Sequence, residues 1–170
     1  MESKARFLGH PIHPMLVSFP IGLFGTAVVF DLIHAADDHL QLARAAYFMI
    51  AAGILTGLLA ALFGAIDWSA LPEGTRAKRI ATVHGLGNVV VVGLFAVAWL
   101  LRRDEPLDAP TSSLVLEIAG LVGALATAWL GGELVNRLGV GVDRGAHLDA
   151  PSSLSGQPAS GGAIETGGEG

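Results

Sequence analysis

Four stretches of this chain are almost free of charge, and each is long enough to cross a membrane. They cover about residues 14–35, 42–66, 77–101 and 113–138. A helix needs roughly 20 mainly apolar residues to span the hydrocarbon of a bilayer. These runs hardly show the polar face that a soluble core helix carries. Charged residues make up only 15% of the chain, against about 25% in soluble domains. The expectation is an all-α membrane protein: a four-helix transmembrane bundle within residues 1–148, built as two pseudo-symmetric helical hairpins. Residues 149–170 are rich in Gly, Ser and Pro and have no lysine or arginine. Such a segment cannot bury enough apolar surface to order itself, so a disordered tail is expected.

The first apolar run is read as a retained span, because no A-x-A-like cleavage site follows it. The chain has no cysteine. That removes disulfides, thiolate metal sites, iron–sulfur clusters and c-type haem attachment. No basic stripe suggests nucleic acid. Seven basic residues (Lys4, Arg6, Arg76, Lys78, Arg79, Arg137, Arg144) fall on one side of the expected bundle and three (Arg44, Arg102, Arg103) on the other. By the positive-inside rule both termini are cytoplasmic. Pro20 frees the carbonyl of Leu16 and is expected to kink span one. Gly53 and Gly57 form a GxxxG, continued by Ala60 and Gly64, which lets a neighbouring helix approach closely.

The polar residues that remain carry the functional question. Gly9-His10-Pro11-Ile12-His13-Pro14-Met15 presents two imidazoles at the start of span one, in a stretch that its prolines bias towards extended backbone. Asp67 ends span two, His84 lies about two turns inside span three, and Glu133 stands about one turn from the end of span four. All four spans thus offer a ligand-type side chain at similar depth. The order histidine, hairpin, acid occurs twice, His13 to Asp67 over 54 residues and His84 to Glu133 over 49. Simpler roles compete: Glu133 with Arg137 as an i,i+4 pair, Asp31 with Arg44, Asp67 as a solvated helix end. His84 is the strongest case, since a polar side chain inside a span marks function by default.

These residues resemble the DUF2231 family of small bacterial four-span membrane proteins. The likeness rests on the His-Pro stretch, then Phe19-Pro20-Ile21 and Phe30-Asp31-Leu32, then Gly64-Ala65-Ile66-Asp67-Trp68. It continues through Arg79 to His84 with Asn88, and Trp129-Leu130-Gly131-Gly132-Glu133-Leu134-Val135 running into Gly139-Val140-Gly141-Val142. It covers about residues 9–142; Asn136 stands where an aromatic is expected in many relatives. The resemblance implies a bacterial cytoplasmic-membrane protein with no established activity. Relatives joined to Rieske-type or cytochrome-like domains imply a redox neighbourhood.

Three functions follow as expectations. One is a b-type haem module with His13 and His84 as axial ligands, His10 as the alternative, and Arg79 or Arg6 meeting propionates. The acids Asp67 and Glu133 count against it. The second is a site for a proton or a divalent ion, zinc or iron, on His10, His13, His84, Asp67 and Glu133. The third is a structural or assembly subunit with no cofactor, holding a redox partner or a second copy in the lipid bilayer. No Ser-His-Asp order, phosphate-binding glycine loop or metalloprotease motif points to a hydrolase or an NTPase.

Overall fold

The computed structural model describes residues 1–162. The expected disorder of residues 163–170 lies outside the described residues. A two-stranded antiparallel hairpin, β1 (Arg6–Phe7) and β2 (His10–Pro11), precedes five helices: α1 (Ile12–Leu16), α2 (Ser18–Asp37), α3 (Leu40–Ala70), α4 (Arg76–Leu101) and α5 (Thr111–Asn136). Leu8 and Gly9, both at positive φ, make the two-residue turn between the strands, the backbone twist that tight hairpins prefer.

The first span is broken where Pro20 requires it. Pro20 has no N–H for the Leu16 carbonyl, and the helix is interrupted at Val17, between α1 and α2. Together these two pieces cover Ile12–Asp37, one of four segments long and apolar enough to cross a membrane. Asp38, in the left-handed region, closes α2 by donating its N–H to the His34 carbonyl at 2.7 Å. Only His39 then separates it from α3. Thr75 caps α4 by accepting from the Lys78 N–H at 3.1 Å.

Helix α2 lies along α3, and α4 along α5; the two hairpins meet through α3 against α4 and α2 against α5. Leu55, Leu58, Val83, Val89, Val122 and Trp129 point outward, as expected where lipid rather than water surrounds the bundle. The interior is narrow. Phe24 of α2 and Phe95 of α4 stack face to face with centroids 3.9 Å apart. Gly53 lies under the Phe24 ring and Gly120 under the Phe95 ring. A Cβ on Gly53 would fall 2.5 Å from Phe24 Cε1, and one on Gly120 would fall 2.7 Å from Phe95 Cε2. Gly57 faces Val92 and Pro20. The small residues therefore serve the close helix approach their spacing suggests.

Phe24 and Phe95 lie 71 positions apart, and so do His13 and His84. On the partner helices Gly53 and Gly120 lie 67 apart, and so do Gly64 and Gly131. The two hairpins are thus copies in register, related by a pseudo-two-fold axis through the bundle. The acids do not share this register. Under the same offset Asp67 corresponds to Leu134, and Glu133 to Ile66. The repeat runs through histidine, phenylalanine and glycine instead.

Candidate functional site

His13 and His84 meet near one end of the bundle, with ring centroids 6.3 Å apart and planes at 90°. Each is held the same way. His13 Nδ1 donates to the Ala60 carbonyl of α3 at 2.8 Å, and Gly64 lies one turn further on, beneath the ring. His84 Nδ1 donates to the Thr127 carbonyl of α5 at 2.8 Å, with Gly131 one turn on. A glycine at that place lets the imidazole lie against the helix and reach its backbone. A Cβ on Gly64 would come within 2.9 Å of His13 Cε1, and one on Gly131 within 3.3 Å of His84 Cε1.

A carbonyl oxygen only accepts, so Nδ1 carries a proton in both rings. For His84 the other nitrogen is fixed as well. Asn88 Nδ2 donates to His84 Nε2 at 3.1 Å, and Thr127 Oγ1 donates to Asn88 Oδ1 at 2.9 Å. Nε2 of His84 is therefore an acceptor and the ring is neutral.

The other candidates stand elsewhere. His13 lies within helix α1, not on extended backbone, whereas His10 is in β2 and shares a hydrogen bond with Ser153 Oγ at 3.2 Å on the exposed surface. Asp67 clasps the N-terminal segment. It accepts from Ser3 Oγ at 2.7 Å and from the N–H groups of Lys4 and Ala5 at 2.9 and 3.3 Å. Glu133 pairs with Arg76 of α4 at 2.6 Å, not with Arg137. Arg6 bonds the Gly9 carbonyl and pairs with Asp143 at 2.6 Å; Arg79 donates to the Gly74 carbonyl at 3.3 Å. Among the described residues, no three histidines or acids form a group that could hold a metal ion. The five-residue layer thus reduces to a pair of imidazoles with a clasp and an ion pair around it.

Sequence reasoning did not reach Thr127, or the part played by Gly131. Both could have been found by sliding Gly53, Ala60 and Gly64 along the chain by 67 positions, onto Gly120, Thr127 and Gly131. Asp31 is ion-paired with Arg102, 2.5 Å away, and not with Arg44.

Four apolar spans in two matched hairpins, with paired imidazoles near one end, define a small four-span membrane protein. The chain belongs to the DUF2231 family, described as predicted membrane proteins, whose profile matches residues 9–144. No curated protein and no solved structure matches it.

Proposed function

We propose that this protein is a membrane module that binds one metal ion, of the zinc or iron type, between His13 and His84. The observation that carries this reading is the matched pair of Nδ1–H···O=C bonds at 2.8 Å. Ligating imidazoles commonly donate their second nitrogen in this way, which fixes the tautomer and directs the other lone pair at the metal. The ring centroids stand 6.3 Å apart; metal–nitrogen bonds of about 2 Å with a tetrahedral angle require them to close by about 1 Å. Water or a partner's group completes the coordination, and iron in this place would agree with the redox neighbourhood implied by the resemblance.

Haem suits the packing less well. A planar macrocycle between the rings requires Asn88 to release His84 Nε2. It also requires room one turn along α3 from Ala60, where Val92 of α4 and Pro20 of α2 close on Gly57. A metal ion requires the first change and the small approach of the rings, but not this room. The bond from Asn88 favours a second reading, in which the two rings act solely as locks between helices.

Metal analysis and the absorbance spectrum of the purified protein, oxidised and reduced, separate these readings. Bound metal without a Soret band, lost in His84→Ala, supports the ion. A Soret band lost in the same variant replaces it with haem. Neither metal nor band leaves the lock. The same reading puts both termini in the cytoplasm of a bacterial cell, supported by the basic residues around them.

A further inference from the structure

At the opposite end of the bundle lies a second polar centre. Arg102, just past α4, has a side chain with no exposure, as have Asp31 of α2 and Glu117 of α5. Both carboxylates converge on one nitrogen. Arg102 Nη1 donates to Asp31 Oδ2 at 2.5 Å and to Glu117 Oε1 at 3.4 Å. Arg102 Nη2 donates to the Ala43 carbonyl of α3 at 2.7 Å, and Ser113 Oγ donates to Glu117 Oε1 at 2.8 Å.

The cluster does not close. Asp31 Oδ1 and Glu117 Oε2 are buried with no hydrogen-bond partner, and so is Arg102 Nε, which reaches neither of them. Two carboxylates against one guanidinium would leave a net charge of minus one in a place closed to bulk solvent. A buried charge without a partner is among the most expensive things a protein can hold. Two carboxyl groups sharing a site relieve this by keeping one proton between them. That proton would also supply the donor that the two free oxygens lack.

We propose that Asp31 and Glu117 together form a proton-binding site, holding one exchangeable proton between them and set by Arg102. A metal cation fits poorly, because the guanidinium stands in the middle and only two carboxylate oxygens are free. The neighbouring groups are few. From α2 comes His34, whose Nδ1 is buried without a hydrogen bond and lies 3.9 Å from Asp38 Oδ1. From α3 come the Ala43 carbonyl and Tyr47, stacked on Trp99 of α4. From α5 comes Ser113. Asp38, one turn beyond His34, is exposed.

Infrared spectroscopy of the purified protein in lipid nanodiscs tests this. At neutral pH the wild type should show one carboxylic-acid carbonyl band per chain that shifts on transfer to D₂O. Glu117→Gln and Asp31→Asn should each remove it. Raising the pH should abolish the band in wild type while circular dichroism still reports a folded bundle, a readout that stands even if a variant fails to fold. Absence of the band in folded wild type, its survival in both variants, or its loss on replacing potassium with sodium at constant pH would overturn the proposal.

Discussion

The two hairpins match at two levels and differ at a third. His13 faces His84, Phe24 faces Phe95, and Asp31 faces Arg102, each pair separated by 71 positions. Within each hairpin the three residues follow one another at intervals of 11 and 7. Both intervals are close to whole turns of a 3.6-residue helix, so they keep the same face. Where the two copies hold the same residue, symmetry suffices: rings stack, and glycines admit them. Where they differ, opposite charges stand at equivalent positions and pair across the axis. A symmetric dimer of one hairpin would set Asp against Asp or Arg against Arg there. One chain carrying two diverged hairpins makes the buried ion pair possible. The C-terminal copy has diverged around it too, with Ser113 and Glu117 where α3 has Ala46 and Ile50.

The comparison breaks most severely at the level of unlike residues. Arg102→Met should destabilise the bundle by about 3–5 kcal/mol, since it leaves the buried charge of the Asp31–Glu117 pair without its cation. Thermal unfolding in detergent followed by circular dichroism reads this out, and a melting temperature near that of wild type would deny the buried cluster its structural role. The matched levels should respond in matched ways. Gly53→Leu and Gly120→Leu each drive a side chain into a stacked ring, with an expected loss of about 1–3 kcal/mol. The two should agree within about 0.5 kcal/mol. A large loss in one and none in the other would show that the hairpins are not equivalent.

The histidines should respond more weakly. His13→Ala removes one side-chain bond to a backbone carbonyl, at a cost of about 1 kcal/mol. His84→Ala should cost more, because Asn88 then loses its bond to the ring and keeps only those to the residue 84 carbonyl and Thr127. Equal losses would argue that the Thr127–Asn88–His84 chain contributes nothing. Smallest of all is the effect of the tail. Its contact at Ser153 is with His10 of the β-hairpin and is exposed, so deleting residues 151–170 should leave the melting temperature within about a degree or two of wild type. Orientation is checked separately. Cysteine at Asp38 or Asp108 should react with an impermeant thiol reagent on intact cells and cysteine at Gly74 should not, and the reverse pattern would turn the protein over. Arg102 lies inside the bundle, which leaves Arg44 and Arg103, the latter paired with Asp104 at 3.3 Å, at the surface of that end.

The spans were legible because lipid demands long apolar runs, and that demand shows in any window of the sequence. The break after α1 was legible in Pro20, and the close packing of Gly53 and Gly57 in their spacing. Similar depth together with the repeat of the hairpins points to a meeting of His13 with His84. Which acids would join them could not be anticipated, because depth along a span does not say which way a side chain points. Asp67 turns towards the backbone of Lys4 and Ala5, and Glu133 towards Arg76, both near the bundle end where polar partners abound. The Asp31–Arg102 pair was hidden for another reason. Arg102 sits at the edge of an apolar run beside Arg103 and reads as an interfacial charge. Only the fold shows that one of the two arginines turns inward.

The most direct test of the central claim is the metal content per chain of wild type, His13→Ala and His84→Ala, purified in parallel and shown to be folded. The account predicts about one ion per chain in wild type and a loss of at least tenfold in both variants, since matched hairpins each supply one ligand. Folded wild type without metal, or metal retained in either variant, would contradict it.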